Sequence, residues 1–271
     1  MMAVLDSLTL WQFIIIFLLL VIPVAYQLSG TFKYYFKLLI YHTLTILIGL
    51  GVCFYALPRG RNPKNHNFVT GCVKLFLWRA VGVKVLIRGQ EILEKDEPAV
   101  IVVNHQSSLD MIPLFTFWPE NCVSLAKREL WLTGPFGLGA WLCGTIYINR
   151  LDHQSARKTM ETAAELIIKK KLKVAIFPEG TRNYNGSMLP FKKGAFHLAV
   201  TGQVPIIPVV FSSYDKFYSK NDKRFDEGNV LVEVLPPIPT TGLKTEDVAT
   251  LTETTRNQML ACFDRISKEM K

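Results

Sequence analysis

The sequence predicts an α/β domain built round a largely buried sheet and carried on two N-terminal membrane helices. Three observations lead there. Two long apolar runs open the chain, short β-branched runs alternate with helical stretches through the rest, and the charge is unevenly placed. The 271 residues carry a formal charge of +9, yet Asp6, Lys33 and Lys37 are the only charged side chains before residue 59. A chain this long can bury an ordinary core, and 49% apolar residues exclude a disordered tail. Five cysteines in such a length do not make a disulfide scaffold.

The first run, Leu8 to Leu28, has no ionisable side chain but the Tyr26 phenol; the second, Leu38 to Pro58, has His42 as its one readily ionisable group. Each matches the roughly 20 apolar residues that cross a bilayer core. Joined through Lys33-Tyr-Tyr-Phe-Lys37, they read as a transmembrane hairpin over residues 1–58. The competing reading, a cleaved signal peptide followed by one anchor, lacks a basic leader and a small-residue cleavage site. Arg59, Arg61 and Lys64, set against Lys33 and Lys37, favour a cytosolic domain by a narrow margin. The cysteines (Cys53, Cys72, Cys122, Cys143, Cys262) form no CxxC pair and no zinc-type spacing, which fits a reduced compartment and no metal.

Residues 59–67 form a polar linker with breakers, and the domain proper runs over 68–271. Phe68 to Val81 mixes apolar residues with Lys74 and Arg79 at helical intervals, which suits a helix on the membrane surface or one packed on a core. Strands are expected at Lys84–Gly89, Ala99–Val103, Cys122–Leu125, Gly144–Ile148, Lys173–Phe177, Ile206–Phe211 and Val230–Leu235. Helices are expected at Ser155–Lys171, Lys193–Thr201 and Thr245–Lys271. Leu130 to Ile148 is uncharged and long enough for a third span, but Gly134-Pro135 and further breakers favour a partly buried helix near the bilayer surface. Its glycines leave a dinucleotide fingerprint incomplete, because Leu142 stands at the third glycine position.

The nucleophile elbow GxSxG, the Walker A loop, HExxH and the EF-hand pattern are all absent. What carries chemistry is Asn104-His105-Gln106-Ser107-Ser108-Leu109-Asp110, directly after the strand AVIVV. His105 and Asp110 can meet only if the chain turns between them, since a five-residue separation puts them on different faces of a helix or a strand. Asn104, Ser107 and Ser108 supply that turn and a helix N-cap, with a helix starting near Leu109. A histidine oriented by a carboxylate is a general base that needs no protein nucleophile, although the same pair could merely cap a loop and a helix. A second loop, Glu179-Gly180-Thr181-Arg182, follows the strand at 173–177 and offers a backbone N–H, a hydroxyl and a bidentate guanidinium, which are phosphate-binding parts. Lys127, Arg128 and Arg150 are further cations at strand ends, and Lys192 and Lys193 read as a solvated face.

Four ordered blocks now resemble a known family. NHQSSLD at 104–110, KRELWLTGPFGLGAWLCGTIYINR at 127–150, FPEGTR at 177–182 and VPIIPVV at 204–210 look like the motifs of the glycerophospholipid acyltransferases, in particular the 1-acylglycerol-3-phosphate (lysophosphatidic acid) acyltransferases. The stretch GTRNYNGSMLPFKKGAFHLAV is similar to the animal members. The resemblance implies a mixed sheet flanked by helices on a helical pair in or against the membrane. It implies that His105 acts as general base on the free hydroxyl of a lysophospholipid, with Asp110 orienting it, and that acyl-CoA is the donor. Glu179, Gly180, Thr181 and Arg182 would seat the acceptor phosphate, with Lys127 and Arg150 as weaker candidates. No metal and no cofactor beyond acyl-CoA as co-substrate are expected. The partners are lysophosphatidic acid and a phospholipid membrane rather than nucleic acid, and residence in the endoplasmic reticulum is implied. An acyltransferase for another lysophospholipid, a thioesterase and a non-catalytic lipid-binding protein are the readings to be separated from it.

Overall fold

The computed structural model describes residues 9–149 and 153–270. Helix α1 (Leu10–Leu28) opens on Thr9, whose backbone N–H donates to Gln12 Oε1 at 2.8 Å. Helix α2 (Gly30–Ala56) follows after the single extended residue Ser29, whose hydroxyl accepts from the Phe32 N–H. The expected connection through Lys33–Lys37 is therefore corrected: the break falls at Ser29, and both lysines lie inside α2. Four residues apart, they share one helix face. Lys33 Nζ pairs with Asp226 Oδ1 at 2.6 Å, and Lys37 Nζ donates to the Asp226 carbonyl at 2.9 Å. Since these cations are tied to the domain that Arg59 leads into, the comparison of loop charges no longer bears on orientation.

The two helices differ in what they touch. None of the residues of α1 is buried, whereas α2 buries Tyr34, Lys37, Tyr41, Gly49, Val52 and Ala56 against the rest of the chain. The contact is close at Gly49, where an added Cβ would lie 3.1 Å from the Phe136 backbone. Gly139 meets the Gly49 carbonyl in the same way, so two small residues let helix backbones approach.

Helix α3 (His66–Cys72) runs through a π-type turn at Val73–Leu77 into α4 (Trp78–Val81). Val69, Val73, Leu77 and Val81 are buried at four-residue steps while Lys74, Leu75, Phe76 and Arg79 stay exposed, so one face packs on the core and the open one mixes apolar and basic residues. Gly82, at φ +71°, ends the helix in the left-handed conformation that glycine adopts without strain.

The sheet has seven strands: β1 (Val83–Arg88), β2 (Ala99–Val103), β3 (Cys122–Lys127), β4 (Ile146–Ile148), β5 (Lys173–Ile176), β6 (Ile206–Phe211) and β9 (Gly228–Val234), in the order β1-β9-β6-β2-β5-β3-β4. It is mixed: β6 and β9 pair antiparallel, and every other neighbouring pair is parallel. The carboxyl ends of β6, β2, β5, β3 and β4 thus share one edge. A small ribbon, β7 (Tyr218–Ser219) with β8 (Arg224–Phe225), lies between β6 and β9 in sequence and was not expected.

Strand β2 is buried throughout, with Ile101 placed between Ala175 of β5 and Ile207 of β6. Its alternate residues enter different cores, as a two-residue period requires. Ala99, Ile101 and Val103 join Tyr34, Tyr41, Val73 and Leu77 with α5 (Met111–Phe117), while Val100 and Val102 join the other layer. That layer is built from α7 (His153–Lys170), α8 (Gly194–Gly202) and α9 (Val248–Glu269) after α6 (Pro135–Leu142). The uncharged 130–148 stretch is thereby resolved into a 3-10 turn, α6 and β4. Eight residues of helix reach about 12 Å, well short of a bilayer core of about 30 Å.

Candidate active site

At the end of β2 the chain must leave the sheet without losing its hydrogen bonds, and Asn104 makes that possible. Its side chain donates to the Phe211 carbonyl at 3.1 Å and accepts from the Phe211 N–H at 2.7 Å, extending the β2–β6 ladder by one residue. Gln106 Nε2 donates to the Ser212 carbonyl at 3.0 Å and the Phe211 carbonyl at 3.3 Å. His105 is thus fixed on both sides. Ser107 then caps the 3-10 turn Ser108–Asp110, accepting from the Leu109 N–H, and this turn runs directly into α5 at Met111, so the helical segment begins near Leu109 as expected.

This turn brings His105 and Asp110 together. The distance from His105 Nδ1 to Asp110 Oδ2 is 2.6 Å, and the same oxygen accepts from the backbone N–H groups of Gln106 at 2.7 Å and Ser107 at 3.0 Å. Asp110 is 1% exposed and the His105 side chain 19%. With the carboxylate at Nδ1, the proton of a neutral imidazole sits there and Nε2 is the acceptor. Phe177 stacks on the ring, centroids 4.0 Å apart, which leaves it one orientation.

Phe177 belongs to the second loop, which follows β5, the neighbour of β2. That loop grips the backbone of His105 from both directions: Glu179 Oε1 accepts from the His105 N–H at 2.7 Å, and the Asn183 N–H donates to the His105 carbonyl at 2.9 Å. Glu179 Oε2 accepts from the Leu189 N–H at 2.8 Å. Burial raises the Glu179 carboxyl above its ordinary value, and the two backbone bonds oppose the rise. Each of its oxygens accepts a backbone N–H, so Glu179 joins the two loops. The Gly180 N–H likewise closes the turn on the Phe177 carbonyl at 3.1 Å, so it does not stand open for a ligand as expected.

Thr181 and Arg182 are exposed next to this brace, and Arg182 lies within electrostatic range of Tyr41, whose hydroxyl donates to the Ser108 carbonyl at 2.5 Å. Lys192, for which the sequence favours a solvated face over a source of positive potential at this loop, reaches the same turn, its side chain lying against Gly180 where an added Cβ would be 2.9 Å away. Lys127 is exposed at the end of β3, one strand beyond β5. Arg150 lies outside the described residues. Among the described residues no three metal-ligating side chains converge. Cys143 and Cys262 offer no thiolate, since burial pushes both up to about 12.

The arrangement can accept a proton at Nε2, hold the resulting imidazolium against a buried carboxylate and attract an anion to Arg182. The roles of Asn104, Gln106, Tyr41 and Asn183 were not evident beforehand. Asn104 and Gln106 flank the histidine in the motif, but nothing local announces their partners.

Comparison with known proteins bears on this geometry. A family model described as Acyltransferase matches residues 84–212, a segment that contains both loops. The chain is 42% identical over 248 residues to human 1-acyl-sn-glycerol-3-phosphate acyltransferase alpha, covering 92% of this chain and 87% of that one. It is 42% identical over 252 residues to the human beta enzyme, covering 92% and 90%. It is 33% identical over 246 residues to the Saccharomyces cerevisiae 1-acyl-sn-glycerol-3-phosphate acyltransferase, covering 88% and 80%. Among solved structures, the crystal structure of the 1-acyl-sn-glycerophosphate (LPA) acyltransferase PlsC from Thermotoga maritima superposes with a TM-score of 0.67 at 24% identity, covering 88% of this chain and 94% of that one. At that identity the likeness speaks for the fold alone.

Proposed function

The chain belongs to the 1-acyl-sn-glycerol-3-phosphate acyltransferases, and on that premise we propose that it transfers an acyl group from acyl-CoA to the sn-2 hydroxyl of 1-acyl-glycerol-3-phosphate, forming phosphatidic acid. The observation that carries the mechanism is the His105–Asp110 pair, held by one loop and gripped through its backbone by the other.

In the proposed reaction His105 Nε2 takes the proton of the lysolipid hydroxyl as its oxygen attacks the thioester carbonyl. A C–O bond forms, the carbonyl becomes a tetrahedral oxyanion, and its collapse breaks the C–S bond. The leaving CoA sulfur takes the proton back from His105. Asp110 does not change its own proton count; it keeps the ring in the right tautomer and steadies the imidazolium. Arg182, with Thr181 beside it, draws the acceptor phosphate, and Lys127 adds positive potential further along the edge. Arg150 keeps the same proposed role as Lys127. Glu179 and Gly180 act indirectly, by shaping the loop. The reaction calls for no metal and no cofactor other than the acyl-CoA co-substrate.

The two apolar helices support a place at a membrane, where both acyl chains can stay in lipid. The reading extends to the endoplasmic reticulum with the site facing the cytosol.

Purified protein in lipid, given acyl-CoA with lysophosphatidic acid or lysophosphatidylcholine, tests the proposal. The expected result is acceptor-dependent CoA release with lysophosphatidic acid preferred, the new chain being removable by an sn-2-specific phospholipase. Preference for lysophosphatidylcholine overturns the headgroup assignment; CoA release that needs no acceptor points to a thioesterase; no turnover in either arm returns the chain to lipid binding.

A further inference from the structure

Asp110 has one oxygen more than its visible bonds use. Oδ2 accepts all three donors, while Oδ1 is buried with no partner within hydrogen-bonding geometry. One other buried polar atom nearby is in the same condition. The Tyr214 hydroxyl also has no such partner, and it faces Asp110 closely enough to interact with it. Orphaned groups of this kind cost free energy unless they satisfy one another.

Tyr214 is held for that task by its backbone. Its carbonyl accepts from the N–H groups of Phe217 at 3.0 Å and Tyr218 at 2.9 Å, and its ring packs on Phe217, centroids 5.5 Å apart. Burial and the negative charge of Asp110 hold the phenol well above its ordinary value, so it is a donor. On the other side of the turn stands Tyr41 of α2, whose hydroxyl donates to the Ser108 carbonyl and which is within electrostatic range of both Asp110 and Tyr214. Among the described residues, the titratable groups set against Asp110 are thus His105 on its own turn, Glu179 on the second loop, Tyr41 on α2 and Tyr214 after β6, with Arg182 of the second loop within range of Tyr41. Tyr218 of β7 reaches the turn at Ser107 and stacks on Tyr34 of α2.

We propose that Tyr214 and Tyr41 are positioning residues of the acyl-transfer site, Tyr214 donating to Oδ1 of Asp110 and Tyr41 bracing the turn that carries it, so that helix α2 is built into the site. The proposal rests on the function given above. A phenol that donates to Oδ1 takes a share of the carboxylate charge; without it, more of that charge falls on the imidazole, and the base holds its proton to higher pH. Tyr41 bonds the turn rather than the carboxylate and has no such effect.

The test uses the full chain in lipid, with Tyr214→Phe and Tyr41→Phe compared to wild type in kcat, KM and the pH dependence of kcat/KM. For Tyr214→Phe the expected result is a fall in kcat of about tenfold with both KM values kept, and an acid limb moved up by roughly half a pH unit or more. For Tyr41→Phe it is a fall of about threefold with the limb in place. A Tyr214→Phe enzyme with wild-type kcat, or with lowered kcat and an unmoved limb, overturns the Tyr214 assignment; unchanged kcat in Tyr41→Phe overturns the other. Should Tyr214→Phe not fold, 3-fluorotyrosine at 214 keeps the ring and strengthens the donor, and the limb must then move down. Titration of nitrogen-labelled histidine by NMR reads the same protonation without turnover. A shift there in a chain that transfers no acyl group would leave the network standing and overturn the function instead.

Discussion

The two loops at the carboxyl edge of the sheet are held in opposite ways. In the 104–110 turn the side chains round His105 are committed inward: Asn104, Gln106, Ser107 and Asp110 are buried, and each has a named partner. In the 177–183 loop the inward members, Glu179 and Asn183, do the fastening, and Thr181 and Arg182 stand in solvent. On the proposed function, the difference follows from what each must meet. A base must lie within hydrogen-bond reach of one hydroxyl, and a small displacement there costs much of the rate. A cation that collects a doubly charged headgroup works over a longer range and gains from a side chain that can follow its ligand.

Substitutions can break or sharpen that contrast. Asp110→Asn keeps an acceptor for the Gln106 and Ser107 N–H groups but removes the charge behind His105, so kcat should fall by about 10³-fold or more with binding of lysophosphatidic acid retained. Steady-state kinetics and a binding assay check it. Arg182→Ala should do the reverse: KM for lysophosphatidic acid rises by about 10- to 100-fold, the loss of a charge-assisted bond, while kcat stays within about threefold. A fall in kcat alone would place Arg182 with the locked turn.

Glu179→Gln tests the brace between the loops. The amide can accept from one backbone N–H but presents a donor to the other, and kcat should fall by about tenfold with little change in KM. The variant also reports on pH. Because the folded carboxyl is raised above the ordinary value, its contribution to stability is present in full below that value and is lost as pH rises through the raised one. Wild-type Tm should therefore lose stability from this group on the alkaline side of pH 4.5, and Glu179→Gln should lack that component. Identical Tm profiles would remove the carboxyl from the account. Lys127→Ala, an exposed cation one strand away, should change KM by no more than about twofold.

How far the sequence announced this follows from where the partners lie. Strand β2 could be bounded to the residue, because AVIVV is β-branched and Pro98 precedes it, and β6 likewise. The turn at 104–110 was visible because Asn and Ser favour it and because His105 and Asp110 can meet in no other way. The brace was hidden: Glu179 meets a backbone N–H 74 residues earlier in the chain, and a backbone group has no signature in a sequence. Lys33 and Lys37 looked like loop charges for the same reason, since Asp226 is 193 residues from the first and 189 from the second. The ribbon of β7 and β8 has two residues a strand, too few to show alternation. Tyr41 sits inside an apolar run, where an aromatic residue near the end of a span has an ordinary explanation as an interfacial anchor.

The central claim is that His105, steadied by Asp110, accepts the proton of a lysophosphatidic acid hydroxyl. The most direct measurement is CoA release from acyl-CoA, with and without lysophosphatidic acid, by wild type and His105→Ala side by side, both shown to be folded and inserted in lipid. The account predicts acceptor-dependent release by wild type and a loss of about 10³-fold or more in the variant, with lysophosphatidic acid still bound. Acceptor-dependent turnover retained in His105→Ala would contradict it.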